Sequence, residues 1–315
     1  MLSRVAEGLF WVGRYVERAE DTARLLDVHY YSVLEDPDVE EAEACRVLAT
    51  VMGVPEHLLQ EREDTAALLE TIGYSDSNPS SIVGSLHAAR ANARGIREAL
   101  SAAVWECLNT TYLELPAQVQ AARALGPSAF FAFVRERAAT LAGYAQSTMS
   151  RDHGYDFLVL GRSLERVDMT ARLVSARVSA PVGTDDWVST LRVCSAYEAY
   201  VRTYQRGVET EHVLEFLVLD RLFPRSIFHA VIVAEQCLAR LAPSTGRVGS
   251  GDAARRAIGR ARSSLEFLPA SQLMDDLPQR LHELQRIVSE VSAAVASRFF
   301  ADVGVIEWKH EVSRP

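Results

Sequence analysis

The sequence predicts an all-α protein, a large helical bundle from two internally duplicated halves related by a pseudo-twofold axis. Apolar residues recur at spacings of three and four along most of the chain, and no run alternates convincingly with period two. Residues 13–25 return as residues 161–173, at a constant offset of 148 with eight identities. A Pro-x-Ser-Ile helix start at Pro79 returns at Pro224, so the repeat extends beyond the first helix.

The first half, residues 1–150, is expected to be a series of helices separated by breaks rich in proline, glycine and asparagine. An N-cap signal over residues 76–81 precedes the longest of its later helices. Pro116 is expected to interrupt the chain, because proline removes a helical hydrogen bond. The predicted helices cover about residues 3–33, 38–52, 55–73, 81–110, 117–124 and 127–149.

The second half is predicted to follow a hinge over residues 151–155, and its repeat helix opens near Asp156. Together the halves, 1–150 and 154–304, form one helical domain over residues 1–304. The helices after the repeat cover about residues 187–206, 209–221, 226–241, 252–267 and 276–301, with loops at 181–185 and 243–252 and a weakly ordered tail at 305–315.

The repeated helix carries an apolar stripe on one side and a stripe of Glu and Arg on the other. At about 100° per residue, Arg14, Asp21 and Arg24 fall close to Glu17. The residues that fall on the opposite side are Leu9, Val12, Val16, Ala19, Ala23 and Leu26. One interpretation is a solvated face with ion pairs worth about 0.2–0.5 kcal/mol each.

Three details indicate instead that the Glu/Arg stripe is at least partly buried. Glu17, Thr22 and the three arginines are identical in both copies, whereas Val16, Ala19 and Leu26 of the apolar stripe are replaced. Gly13 and Gly161 lie inside the helix, where glycine costs about 1 kcal/mol relative to alanine, which suggests close approach of another backbone or a ligand. Asp21 becomes Met169 in the second copy. Buried charges must be paired, so the stripe is either a structural Glu–Arg network or a ligand or catalytic site.

Composition excludes several classes of protein. The 315 residues are 48% hydrophobic, and the net charge of −9 argues against a nucleic-acid binder that relies on phosphate contacts. The four cysteines are far apart and form no CxxC pair, which indicates reduced thiols. The first residues lack the apolar core of a signal peptide, and no run of about 18 apolar residues could span a membrane. We therefore expect a soluble cytoplasmic protein without membrane or nucleic-acid partners.

Motifs for nucleotide and metal chemistry are missing, since the sequence has no GxxxxGK[ST], GxGxxG or HExxH and its eight histidines are scattered. We expect no metal and no cofactor of its own. Glu17 and Glu165 could act as general bases for an attacking amine if burial raised their pKa, although adjacent arginines push the other way. Arginines bind carboxylate or phosphate groups bidentately. The candidate binding residues are Arg14, Arg18, Asp21, Arg24, Arg90, Arg94, Arg162, Arg166 and Arg172.

Several segments together match a known pattern. Residues 9–19 read Leu-Phe-Trp-Val-Gly-Arg-Tyr-Val-Glu-Arg-Ala, and residues 161–166 read Gly-Arg-Ser-Leu-Glu-Arg. With Asn-Pro-Ser-Ser at 78–81, Ala-Arg-Ala-Asn-Ala-Arg at 89–94 and Trp-Glu at 105–106, nearly the whole chain resembles the alpha-E family. This is a bacterial family of predicted all-helical proteins named for an ER motif. The motif positions correspond to Glu17, Arg18, Glu165 and Arg166, whereas Ala91 stands where the family often has an acidic residue.

The resemblance implies a partner, because genes of this family typically accompany a circularly permuted ATP-grasp ligase and often a transglutaminase-like peptidase. It thus implies a system that forms or trims amide or peptide bonds. One interpretation is an accessory component that binds the ligase or a small anionic or peptide substrate, with ATP bound by the ligase. The alternatives are an enzyme that acts on an amine or activated acyl group with Glu17 or Glu165 as base, and a purely structural scaffold.

Overall fold

The computed structural model describes residues 1–35, 40–54, 64–179, 187–243, 246–247 and 249–300. These residues form thirteen α-helices and no β-strand, so the predicted all-α class is confirmed. The helices are α1 (Ser3–Glu35), α2 (Glu41–Met52), α3 (Thr65–Leu68), α4 (Ile82–Gly95), α5 (Ala102–Leu125), α6 (Ser128–Thr148), α7 (His153–Val178), α8 (Trp187–Val193), α9 (Tyr197–Tyr204), α10 (Thr210–Leu219), α11 (Ile227–Leu241), α12 (Ala253–Glu266) and α13 (Leu277–Val295). Among these described residues, each helix is too short or too polar to cross a bilayer.

The two repeat helices, α1 and α7, pack against each other at the centre of the fold. α4 and α6 cover α1, while α11 and α13 cover α7. Six residues predicted for the apolar stripe of α1 are all buried: Leu9, Val12, Val16, Ala19, Ala23 and Leu26. The helices that cover α7 thus lie about 148 residues after the helices that cover α1. Duplication of the complete halves, and the extent of the single domain, stay predictions.

The repeated Pro-x-Ser-Ile motif begins a helix in both places, as predicted. The Ser81 hydroxyl accepts a hydrogen bond from the backbone N–H of Gly84 at 2.9 Å, and the Ser226 hydroxyl accepts one from His229 at 3.0 Å. Each hydroxyl also donates to the backbone carbonyl six residues earlier, that of Ser75 or Asp220. Both serines are fully buried. One side chain therefore satisfies a free helix N–H and ties the preceding loop to the helix.

Ser81→Ala and Ser226→Ala should each lower the free energy of unfolding by about 1–2 kcal/mol, because the N-cap bond is lost and a partly buried carbonyl loses its donor. Urea titrations of the two variants measure this directly. Ser80→Ala is the matched control, since no side-chain hydrogen bond of Ser80 is present among the described residues. We expect it to change stability by less than about 0.5 kcal/mol. Equal losses in all three variants would contradict the capping role.

The prediction of one long helix over residues 81–110 is wrong, because the helical conformation is interrupted between α4 and α5. Ile96 leaves the helical conformation with φ −133° and ψ 28°, and its side chain is buried beside Gly8 of α1. A short 3-10 turn over Arg97–Ala99 follows, and Ser101 then caps α5 by accepting from the N–H of Val104 at 3.3 Å. The turn allows α5 to pack against both α4 and α6.

The predicted interruption at Pro116 is also wrong, since α5 continues through this residue. Pro116 is exposed, while buried residues continue on the other side of the helix at spacings of three and four. These residues are Leu108, Thr111, Leu115, Val119 and Ala122. Their packing in the protein core outweighs the cost of about 3 kcal/mol of an interior proline.

Smaller differences concern the predicted hinge and the helix predicted over residues 187–206. α7 starts earlier than expected, because Asp152 caps it by accepting from the N–H groups of Gly154 and Tyr155. The 187–206 segment is split into α8 and α9 at Ser195, which has a positive φ of 49°. The predicted tail at 305–315 and the loop at 181–185 lie outside the described residues, as do the starts of the helices predicted from residues 38 and 55.

Candidate functional site

The Glu/Arg stripes of α1 and α7 meet where these helices cross in direct backbone contact. A Cβ atom placed on Gly13 would lie 2.1 Å from the carbonyl oxygen of Leu158. A Cβ atom placed on Gly161 would lie 2.0 Å from the carbonyl oxygen of Phe10. The two contacts are equivalent under the 148-residue offset. The predicted close approach at both glycines is therefore an approach of the two repeat helices to each other.

Glu165 of α7 is buried and bonded to arginines of α1 through both of its carboxylate oxygens. Arg18 Nε donates to Oε1 at 2.5 Å, and Arg18 Nη2 donates to Oε2 at 3.1 Å. Arg14 Nε donates to Oε2 at 2.6 Å, and its Nη1 donates to the hydroxyl of Ser292 at 3.0 Å. This half of the network is closed, since each charged group has a partner on the opposite helix. We call Arg14, Arg18, Glu165 and Ser292 the closed half-site.

Glu17 of α1 is equally buried, and its arginine partners come from α7 and from the loop before α11. Arg166 Nε and Arg225 Nη1 donate to Oε1 of Glu17 at 2.6 and 3.1 Å. Arg225 also donates to Asp21 at 2.6 Å and to Oε1 of Glu20 at 2.7 Å. No described residue donates a hydrogen bond to Oε2 of Glu17 or of Glu20. One arginine thus binds three carboxylates of α1.

Arg162 has the position in α7 that Arg14 has in α1, yet it is not paired in the same way. In the described part of the chain, no hydrogen bond or ion pair within 4 Å involves its side chain. Burial lowers the pKa of Arg162, as does the charge of Arg166, while Glu17 and Glu20 act in the opposite direction. Arg162 lines a cavity between α1, α6 and α7 together with Glu17, Glu20 and Tyr155. We call Glu17, Glu20, Tyr155 and Arg162 the open half-site.

The outer arginines of the repeat make i,i+4 pairs within their own helices. Arg24 donates to Glu20 and to the hydroxyl of Ser195, and Arg172 Nε donates to Asp168 at 2.9 Å. The break between α8 and α9 therefore brings Ser195, with its positive φ, onto the end of the network. The network thus extends from Arg14 to Arg24, along about three helical turns of α1.

The site brings together most of the arginines predicted to bind, but two lie elsewhere. Arg90 donates to Asn109 Oδ1 at 3.2–3.3 Å and lies over the ring of Tyr112, 4.5 Å from its centroid. Arg94 is exposed near the end of α4. Neither residue bonds to the network described above. Their proposed binding role stays a prediction, separate from the Glu/Arg site.

The arginines keep both glutamates ionised. Burial alone would raise the pKa of Glu17, but Arg166 and Arg225 more than offset it and lower that pKa to about 2. Burial likewise opposes ionisation of Glu165, yet Arg14 and Arg18 lower its pKa. A general base works best with a pKa near the working pH, so both carboxylates are poorly tuned for proton abstraction. Their arrangement is suited to holding helices together.

Asp21 behaves differently from the two glutamates. Its burial and the nearby charges of Glu17 and Glu20 raise its pKa to about 7, although Arg225 acts against them. A raised pKa means that the folded state retains a proton that the unfolded state releases above its ordinary value of 3.8. The stability contributed by Asp21 is therefore fully present below that value and is lost as the pH rises through about 7.

Asp21→Asn should flatten this part of the pH dependence, because asparagine stays neutral throughout. We expect the free energy of unfolding of the variant, relative to that of the wild type, to increase as the pH rises from 5 to 8. Met169 at the equivalent position shows that a neutral side chain fits such a place in the repeat. Urea titrations at several pH values provide the comparison. A difference that stays constant with pH would contradict the raised pKa.

Five residues that bond within the network were not among the predicted site residues: Glu20, Asp168, Ser195, Arg225 and Ser292. Glu20 could have been found, because Asp168 at the equivalent place keeps the negative charge. Arg225 gives no such signal, since the first copy of its motif has Ser80 there. Its role depends on the loop before α11 reaching α1, which no local pattern indicates. Ser195 likewise depends on a helix break that the sequence did not predict.

Comparison with known proteins gives a family but no characterised relative. Uncharacterized proteins from Mycobacterium bovis and from two strains of Mycobacterium tuberculosis are 27% identical to this chain over 271 residues. The match covers 78% of this chain but 30% of those proteins, so the chain spans less than a third of their length. No solved structure is significantly similar. The profile that matches residues 1–300 is Alpha-E, described as a predicted alpha-helical domain with a conserved ER motif, and the chain therefore belongs to the Alpha-E family.

Proposed function

We propose that this chain is a non-catalytic helical component of an amide- or peptide-bond-forming system, in which it binds an ATP-grasp ligase and presents an anionic substrate to it. The observation that carries the proposal is the bonding of Glu17 and Glu165. Arginines of other helices occupy these carboxylates and lower the pKa of both. The Glu/Arg stripes then serve to clamp α1 to α7. A transglutaminase-like peptidase is a further proposed partner, and the assembly is expected in the cytoplasm.

The charge balance of the network supports an anionic ligand. Arginines outnumber carboxylates around the α1–α7 crossing, although the chain as a whole has a net charge of −9. The arginines are Arg14, Arg18, Arg24, Arg162, Arg166, Arg172 and Arg225, and the carboxylates are Glu17, Glu20, Asp21, Glu165 and Asp168. Protonation of Asp21 near neutral pH would increase this local excess of positive charge. A partly buried cationic surplus favours carboxylate or phosphate groups.

A reconstitution experiment tests the proposal. The purified chain is mixed with a circularly permuted ATP-grasp ligase of the kind that the family resemblance implies, ATP, and a pool of amino acids and small peptides. ADP release and new product masses are followed with and without the chain, and complex formation is followed by size-exclusion chromatography. We expect a complex, and product formation that depends on the chain. A ligase that neither binds the chain nor responds to it would overturn the proposal.

Glu17→Gln separates the proposal from the enzymatic alternative, in which this carboxylate abstracts a proton. At saturating substrate, the accessory component should support a maximal rate of product formation within about twofold of wild type, since loss of a binding contact raises the substrate concentration required but removes no proton acceptor. A folded variant that loses activity by about 100-fold or more would favour a general base, whose typical contribution is of that size. Circular dichroism at the assay temperature establishes folding, and Glu17→Asp provides a second, charged variant.

A further inference from the structure

The two half-sites are equivalent in sequence but not in bonding. In the closed half-site, Arg14 donates to Glu165 and to Ser292, which α13 supplies. In the open half-site, α6 occupies the corresponding flank of the central helices and presents only apolar side chains. These are Ala138, Leu141, Ala142 and Ala145. Arg162 therefore finds no acceptor on that flank, and its small neighbours leave a cavity.

The cavity is small and has two kinds of wall. Its volume is about 50 Å³, and on the apolar side it is closed by α6 together with Val16 and Leu158. The polar side consists of Arg162, Arg166, Tyr155, Glu17 and Glu20. A buried water needs about 10–15 Å³ on this scale. The space thus accommodates a group of roughly four or five non-hydrogen atoms.

Residues with unused hydrogen-bonding capacity, both donor and acceptor, line this space. The guanidinium of Arg162 has no partner among the described residues. Glu17 and Glu20 each accept their arginine bonds through Oε1, so that Oε2 of each accepts none from a described residue. The closed half-site has no such capacity, because Glu165 uses both oxygens. A ligand for the open half-site therefore has to offer a hydrogen-bond acceptor and a donor close together.

We propose that the open half-site binds the head group of a small α-amino acid. Its carboxylate would accept hydrogen bonds from Arg162 and from the hydroxyl of Tyr155. Its ammonium would donate to Oε2 of Glu17 and Glu20. Glycine has five non-hydrogen atoms, which matches the volume of the cavity. This inference rests on the proposed function and narrows its substrate class, since the anionic group recognised is a carboxylate that is accompanied by an ammonium.

Simple anions fit the same walls less well. A phosphate dianion would face Arg162 but also the two glutamate oxygens, and like charges at close range are unfavourable. An isolated carboxylate such as acetate would satisfy Arg162 and leave both glutamate oxygens without a donor. An isolated amine would leave Arg162 without an acceptor. Only a zwitterion meets all of these groups at once.

Calorimetric titration of the isolated full chain tests the inference without any ligase. Glycine should bind saturably, whereas acetate, methylamine and inorganic phosphate should each bind at least about tenfold more weakly, because each leaves polar groups of the cavity unmatched. Absence of glycine binding would overturn the inference, and tighter binding of phosphate than of glycine would do so as well. Neither result concerns complex formation with the ligase, so the proposed function is tested separately.

Two variants locate the bound amino acid. Arg162→Gln should weaken glycine binding at least about tenfold and should melt near the wild-type temperature, since its guanidinium holds no partner in the fold. Ala142→Leu should abolish binding by filling the cavity while every charge remains. Arg206→Gln, at an exposed arginine between α9 and α10, is the matched control and should bind glycine as the wild type does. Unchanged affinity in folded Arg162→Gln or Ala142→Leu would overturn the assignment. If either variant unfolds, glycine-induced NMR shifts of Tyr155 and the α6 alanines in the wild type decide instead, and their absence would overturn it.

Discussion

Gly13→Ala and Gly161→Ala are each expected to destabilise the protein by about 3 kcal/mol or more. A Cβ atom at either position would lie within 2.1 Å of a carbonyl oxygen of the opposite helix. Neither partner can turn away, because the clashing atom is backbone rather than the end of a flexible side chain. The helices would have to separate, which would also lengthen the Glu–Arg bonds across the crossing. Guanidinium or urea titration measures the loss.

Gly143→Ala is the matched control for both glycine variants. Gly143 lies inside α6, and a Cβ atom there would meet nothing within 4 Å. Alanine is preferred over glycine in helices by about 0.5–1 kcal/mol, so this variant should be more stable than the wild type. The same chemical change thus has opposite expected signs at different places. Stabilisation in all three variants would mean that α1 and α7 do not approach as closely as described.

The double variant Gly13→Ala/Gly161→Ala adds a further test of the crossing. The two glycines contact the opposite helix within one interface, and one separation of the helices would relieve both clashes. Neighbouring sites that share a structural response are not additive. We therefore expect the double variant to lose clearly less stability than both single losses together. Full additivity would indicate that the two contacts are independent.

Some features of this site could be predicted from the repeat alone. The glycines indicated a close backbone approach, and the identity of the Glu and Arg positions indicated a buried, paired network. Both conclusions use the internal comparison, which shows that a costly residue is kept twice. The same comparison indicates nothing about residues that differ between the copies. Arg225, which stands where the first copy has Ser80, therefore stayed hidden although it binds three carboxylates.

The helix boundaries also have two kinds of cause, namely local sequence signals and tertiary packing. The serine caps at Ser81 and Ser226 are local signals, and both were predicted correctly. Pro116 is also a local signal, but tertiary packing of the opposite face overrides it. The break at Ile96 has its cause in the burial of that side chain next to Gly8 of α1. Such a break depends on how α1 is placed, so the sequence of α4 alone could not reveal it.

Glu165→Gln is expected to cost about 3–5 kcal/mol, the usual result of breaking a buried ion pair by removal of one partner. Arg14 and Arg18 would both lose the only carboxylate with which they form an ion pair among the described residues. Glu17→Gln should cost less, at about 1–3 kcal/mol, because Arg225 retains Glu20 and Asp21. Glu283→Gln is the control, since this exposed glutamate pairs with Arg286 on the surface. Its expected cost is below about 1 kcal/mol.

The pH dependence of these variants provides a second readout with a defined sign. Glu17 has its pKa lowered from 4.5 to about 2 in the folded state, so its contribution to stability is present above 4.5 and is lost as the pH falls toward 2. Glu165, whose pKa is also lowered, loses its contribution in the same direction. The stability difference between wild type and either glutamine variant should therefore shrink on acidification. A difference that persists at pH 2 would indicate packing rather than charge.

The relative stability losses of Glu17→Gln and Glu165→Gln also test whether the open half-site has a free acceptor. Glu165 uses both oxygens within the fold, whereas Oε2 of Glu17 accepts no hydrogen bond from the described residues. A carboxylate that has bonding capacity to spare contributes less to stability and can contribute more to binding. Glu17→Gln should thus weaken glycine binding while it leaves most of the stability intact, and Glu165→Gln should do the reverse at temperatures where it is folded. Equal stability losses in the two variants would mean that both half-sites are closed, and the cavity beside Arg162 would then lack the acceptor on which amino-acid binding depends.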